Sequence, residues 1–99
     1  MICVAGEMVI AEKDIEAARA AAIDMMDETA KEDGCIHYRF YQDVQHPTKF
    51  HVYEEWESPA HLAAHAKSDH MKVFRAALSE LTVESRDIAM FEMGEKKSV

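Results

Sequence analysis

Two cysteines, two prolines, three glycines and one tryptophan leave this 99-residue chain poor in the residues that staple, kink or hinge a backbone. Each scarcity excludes something. Cys3 and Cys35 form no CxxC and no zinc-ligand spacing, so a disulfide scaffold is excluded and the thiols read as reduced and buried, in a cytoplasmic protein. No Pro-, Gly- or Ser-rich stretch marks a linker, and the length is that of one hydrophobic core. The chain therefore reads as one domain over residues 1–94 with a frayed charged tail over 95–99. No run approaches the roughly 18 apolar residues of a membrane span. The opening MICVAGEMVI lacks a basic n-region and a cleavage-like site, which makes it a strand rather than a signal peptide. Positive charge is short as well, with 11 Lys and Arg against 19 Asp and Glu and a formal net charge of -8. The scattered cations offer no stripe to nucleic acid or to an anionic membrane, whereas a small neutral or hydrophobic ligand suits this surface.

The hydrophobic fraction is 48%, which is normal for a globular protein. Ile2 to Ile10 is β-rich, and Glu12 to Glu32 carries apolar residues at helical spacing until Gly34 stops it. Cys35 to Asp43 and Lys49 to Trp56 are dense in aromatic and β-branched residues around a turn at Gln45–Thr48, the pattern of a hairpin. Ser58-Pro59 caps a short helix and Ser68-Asp69 caps another, whose inward stripe is Met71, Phe74, Ala77, Leu78 and Leu81. Thr82 to Met93 is the last strand. The order β, α, β, β, α in two pieces, β predicts an α+β, ferredoxin-like split βαβ fold, with an antiparallel sheet carrying its helices on one face. A sheet in so small a domain gains stability when its open face packs on a second subunit.

Glu54 to Met71, EEWESPAHLAAHAKSDHM, concentrates histidine and glutamate beside the single tryptophan. His61 and His65 form an HxxxH, but Leu62 stands where a zinc protease motif has Glu and no further ligand sits at metal spacing, so no metal is assigned. His61 is read as facing solvent, and His65 and His70 as facing inward, either as core-edge histidines satisfied by carbonyls and carboxylates or as working groups. Period two puts Phe50, Val52, Glu54 and Trp56 on one face of their strand. If that face is the core side, Glu54 needs a partner and His65 is the obvious one; a register slip or an edge strand would leave Glu54 wet. An imidazole held by a carboxylate is a general base near neutral pH. Phe50, Trp56, Tyr38 and Met71 could line a pocket for a flat aromatic ligand, or be plain core.

Gly34-Cys35, Tyr38, Phe50, Glu54-x-Trp56-x-Ser58, His65 and Ser68-x-His70-Met71 together resemble the antibiotic biosynthesis monooxygenase (ABM) domain family, with most likeness to its bacterial quinol-monooxygenase-like members. The resemblance spans nearly the whole chain. It implies a dimeric ferredoxin-like α/β barrel, two sheets face to face, with a hydrophobic pocket between sheet and helices in each subunit. Members include oxygenases of polyketide anthrones and quinols that need neither metal nor flavin, haem-degrading enzymes, and enzymes that process a phosphorylated signal. The haem-degrading members carry Asn, Trp and His where this chain resembles them only in layout, with Glu7, His65 and Arg75, so the haem reading is set aside.

The expectation is a cofactor-independent monooxygenase, a homodimer that oxidises a small electron-rich phenol or quinol with dioxygen and uses no metal. His65, oriented by Glu54, would take the phenolic proton; Trp56, Phe50 and Tyr38 would stack on the ring beside Met71, and His70 would hold a second oxygen or a peroxide. Two rivals stay open. One is an oxygen-independent isomerase or other acid–base enzyme, which for a phosphorylated metabolite needs Arg39, Lys49 or Arg75 at the pocket mouth. The other is a small-molecule-binding dimer without turnover.

Overall fold

Alternation along the first strand sets the architecture: Ile2, Val4, Met8 and Ile10 are buried on one face, while Cys3, Ala5, Glu7 and Val9 take the other. The computed structural model describes all 99 residues. Its elements are β1 (Ile2–Ile10), a 3-10 turn (Glu12–Asp14), α1 (Ile15–Thr29), β2 (Cys35–Gln42), β3 (Lys49–Trp56), α2 (Pro59–Ala66), α3 (Asp69–Ser79) and β4 (Val83–Glu92). The strands form one antiparallel sheet in the order β2-β3-β1-β4, the split βαβ arrangement of a ferredoxin-like fold.

Register places Val4 opposite Glu54 and Met8 opposite Phe50, so the buried faces of β1 and β3 coincide. Tyr38 pairs with Glu54 and Phe40 with Val52, which adds β2 to the same helix-covered face. Two apolar clusters fill the space beneath the helices. One joins Ile2, Met25, Tyr38, Val52, Trp56 and Phe74; the other joins Met8, Ile10, Ala18 and Phe50. β4 is different, because only Ile88 is even half-buried and Met90 and Phe91 are exposed.

The helix ends explain how the site is positioned. The spacing predicts one helix over 12–32, but it opens as a 3-10 turn and α1 closes at Thr29, where Lys31 N–H bonds to Glu28 O and Glu32 N–H to Thr29 O. Those short-range bonds tighten the last turn. Gly34 follows at φ +81, and a Cβ there would fall 2.2 Å from the His61 ring, so only glycine lets this loop pass under α2. Ser58 Oγ accepts from His61 N–H and Ser68 Oγ from Met71 N–H, the two caps the sequence predicts. Both cysteines are free and half-buried rather than fully buried: Cys35 packs at the edge of the apolar cluster, and Cys3 lies on the sheet face away from the helices. No regular element follows Glu92, and Lys96 Nζ reaches back to Glu55 Oε1 at 2.7 Å. No helix is long and apolar enough to cross a membrane.

Candidate active site

A cavity of about 280 Å³ lies between the sheet and α2–α3 and reaches out to β4. Most of its wall is apolar, Met71 and Phe74 among it, and four polar side chains interrupt the rest: Tyr38, Glu54, His65 and Arg86. Few polar groups in an apolar wall is the usual make-up of a small-molecule site.

Glu54 is buried where β3 alternation puts it, and its Oε1 accepts a hydrogen bond from Trp56 Nε1 at 2.9 Å. Burial pushes its carboxyl up to about 7, against the pull of the Trp56 bond, and the charge of Glu32 adds to the rise. A carboxyl in that state can hold or release a proton near neutral pH. Burial, then the neighbouring Glu54 charge, pushes the Tyr38 phenol above the usual tyrosine range, so Tyr38 keeps its proton and acts as a neutral wall residue.

His65 is 3% exposed and packs its ring on Trp56, with centroids 4.7 Å apart, and on Tyr38 at 5.4 Å. Its Nδ1 lies 2.5 Å from Glu32 Oε2, and the same oxygen lies 2.7 Å from His70 Nε2. Ser68 sets up this convergence. Its hydroxyl donates to His65 O at the end of α2 and accepts from Met71 N–H at the start of α3, fixing the joint that presents both histidines to Glu32. An ionised carboxylate only accepts, so the nitrogen facing Glu32 carries the hydrogen and Nε2 of neutral His65 keeps its lone pair. The arrangement is a carboxylate-held base at the wall of an apolar cavity.

Placement differs from expectation at several residues. His65 and Glu54 line one cavity, but the carboxylate that holds His65 is Glu32 and the partner of Glu54 is Trp56. Trp56 is fully buried and supports Glu54 from behind instead of stacking on a ligand. Phe50 sits in the other apolar cluster with Met8 and Ile10, two pleats along β3 from Glu54, and does not reach this cavity. His70 faces a separate cavity of about 330 Å³ between α1 and α3, since α3 turns it outward past Glu32. Tyr38 and Met71 do line the sheet-side cavity. His61 is half-buried, bonded to Ser58 Oγ and 3.5 Å from Asp33, and does not join His65. Glu7 belongs to the sheet face away from the helices and pairs with Lys49 at 3.6 Å.

Two residues escaped sequence reasoning. Glu32 reads as the frayed end of a helix, and no spacing ties it to histidines 33 and 38 positions later; the only signal is its place just before Asp33-Gly34, where a chain must turn. Arg86 is the cation at the cavity rather than Arg39, Lys49 or Arg75, and it was legible only as the residue sharing a β4 face with Ile88 and Met90. Arg75 instead donates to Ala66 O.

Glu32, His65 and His70 are also the group whose donor atoms, all within 4.8 Å of one another, match the nitrogen and oxygen set of a metal site. Their separations in this structure are those of hydrogen bonds.

Known proteins share this fold. A Deinococcus radiodurans protein provisionally named an antibiotic biosynthesis monooxygenase superposes with a TM-score of 0.93 at 23% identity, covering 100% of this chain and 98% of that one. A conserved protein of Methanosarcina mazei gives 0.86 at 28% identity over 94% of this chain and 92% of its own. One from Bacteroides thetaiotaomicron, of unknown function and suggested to be an oxidoreductase, gives 0.85 at 28% identity over 93% and 96%. An uncharacterised Synechocystis protein is 24% identical over 98 residues, 99% of this chain and 67% of its own length. Residues 1–77 match the family described as antibiotic biosynthesis monooxygenase, and this chain belongs to that family.

Proposed function

We propose that this protein is a monooxygenase that oxidises a small electron-rich phenol or quinol in the sheet-side cavity without a bound cofactor. The observation that carries the reading is His65, nearly sealed from solvent at the cavity wall with Nδ1 held by Glu32 at 2.5 Å. Its free Nε2 takes the phenolic proton, and the phenolate gives one electron to dioxygen, which relieves the spin barrier. Radical recombination forms a ring peroxide. Loss of the ring hydrogen with O–O cleavage then leaves one oxygen atom as the new carbonyl and sends the other out as water, so phenol and dioxygen become quinone and water. Glu54 stands in the same cavity with its carboxyl at about 7 and can return a proton to the departing oxygen. Family membership and the provisional monooxygenase name of the Deinococcus relative support a monooxygenase reaction.

A homodimer goes with it: the sheet face away from the helices carries Ala5, Tyr53 and Phe91, and a second copy would cover it. The second reading is an oxygen-independent isomerase. Its support is that a carboxyl and an imidazole, those of Glu54 and His65, line one cavity. Oxygen uptake separates the two. Metal-stripped protein given reduced quinols and anthrone-like phenols is expected to consume oxygen faster than autoxidation, and His65→Ala to lose that excess; turnover of a substrate with no oxygen consumed would favour the isomerase.

A further inference from the structure

The triad of Glu32, His65 and His70 invites a second use. We propose that it is a binding site for a borderline divalent cation of the zinc class, and that the bound ion switches His65 off as a base. Three elements supply the donors: Glu32 from the turn after α1, His65 from the last turn of α2 and His70 from the first turn of α3. Two imidazoles and one carboxylate suit Zn²⁺, Co²⁺ and Ni²⁺, whereas hard cations such as Mg²⁺ prefer an all-oxygen set. The side chains of Glu32, His65 and His70 are 16%, 4% and 21% exposed, so the donors are shielded but not sealed. Entry runs through His70, which lines the α1–α3 cavity. That cavity also carries Asp24, Glu28 and Asp69, whose charge concentrates cations at its mouth.

The structure holds the triad in its hydrogen-bonded state, with Oε2 at 2.5 and 2.7 Å from the two nitrogens. Donors of one tetrahedral zinc at about 2.0–2.1 Å lie about 3.3 Å apart. For the two oxygen–nitrogen pairs, at 2.5 and 2.7 Å, that spacing takes a withdrawal below about 1 Å by the Glu32 carboxylate, which stands on a turn outside any helix. The two imidazole nitrogens, which lie within 4.8 Å of each other, must close to the same spacing, a side-chain adjustment of His70 at the first turn of α3. The fourth position falls to water.

Coordination changes the chemistry of His65. In the hydrogen-bonded state Nδ1 carries the hydrogen and Nε2 keeps its lone pair, on a side chain that lines the cavity. When Nδ1 binds the ion, the imidazole proton moves to Nε2 and the ring becomes a donor with no base to offer. The two states exclude each other. His70 would bind through Nε2 and keep its proton on Nδ1.

The binding claim rests on the triad's geometry alone, and the loss of turnover rests in addition on His65 being the base. Calorimetric titration of the chelator-treated protein with Zn²⁺ is the test, with Co²⁺ as an optical probe. Expected is one ion per chain at micromolar affinity or tighter, tetrahedral Co²⁺ bands, and shifts of the ¹⁵N resonances of His65 Nδ1 and His70 Nε2. Glu32→Gln and His70→Gln should each weaken binding by at least the roughly 100-fold that even outer-shell changes reach, and His61→Gln should leave it unchanged. Absence of saturable binding in the wild type, or binding that survives both triad variants, overturns the site. Should either variant fail to fold, the ¹⁵N shifts of the wild type decide alone, and shifts confined to other histidines overturn it. Binding that leaves oxygen uptake intact would keep the site and remove His65 as the base.

Discussion

The two ends of the sheet's covered face are built alike and do different things. At the end where β1 finishes, the strand positions beneath α1 are Met8, Ile10 and Phe50, a plain apolar cluster closed by Ala18. At the end where β3 finishes, the same alternation delivers Tyr38, Glu54 and Trp56, and α2 sets His65 over them. Burial is nearly equal, with Phe50 at 3%, Glu54 at 7% and His65 at 3%. What differs is whether the buried side chains are hydrocarbon or polar. A protein that only needed stability would fill both ends with hydrocarbon, since a buried carboxyl costs free energy unless fully paired. On the proposed function the polar end is the working end, and the apolar end holds it in place.

That contrast can be broken from either side. The largest effect belongs to His65→Ala, expected to lower turnover roughly 10²- to 10⁴-fold, the range of a lost general base, with ligand affinity in equilibrium dialysis little changed. At the other end Phe50→Ala is expected to cost roughly 3–5 kcal/mol in urea unfolding, while turnover per folded molecule stays at the wild-type value. A drop in turnover there would erase the distinction between the ends.

Glu54 sharpens the contrast through pH. Its folded carboxyl sits at about 7 against an ordinary 4.5, so between those values the folded protein holds a proton that the unfolded chain has released. The contribution of this group to stability therefore declines as pH rises through that window and is least favourable above it. Glu54→Gln removes the decline. The variant should match the wild type near pH 4 and exceed it by about 3 kcal/mol near pH 8, and parallel stability curves would count against a buried Glu54. The smallest effect is that of Ser58→Ala, a lost helix cap worth about 1 kcal/mol, with turnover unaffected because His61 stands outside the cavity.

Much of this was legible before any coordinates, and the reasons are local. Period two placed Glu54 on the face of Phe50 and Trp56, and register bore that out because one side of β3 is covered along its whole length. The serine caps at Ser58 and Ser68 are written in four-residue patterns, so they were readable too. His65 was placed inward from its distance to Leu62. Its carboxylate was not. Glu32 meets His65 across 33 residues, through a turn whose tightening is a matter of backbone bonds after Thr29, and no periodicity reports on such a contact. Trp56 was misread because an indole beside a supposed pocket looks like a stacking wall; its N–H was needed by the buried Glu54. His70 was misread because inward on α3 means toward α1 as much as toward the sheet.

Catalysis as proposed requires Glu32, and not Glu54, to hold His65 with its Nε2 free toward the cavity. The direct measurement is the ¹⁵N spectrum of the His65 imidazole in its neutral form, taken for the wild type, Glu32→Gln and Glu54→Gln. The account predicts a proton fixed on Nδ1 in the wild type, a lock that survives Glu54→Gln and disappears in Glu32→Gln. A proton on Nε2 in the wild type, or a lock abolished by Glu54→Gln and untouched by Glu32→Gln, would contradict it.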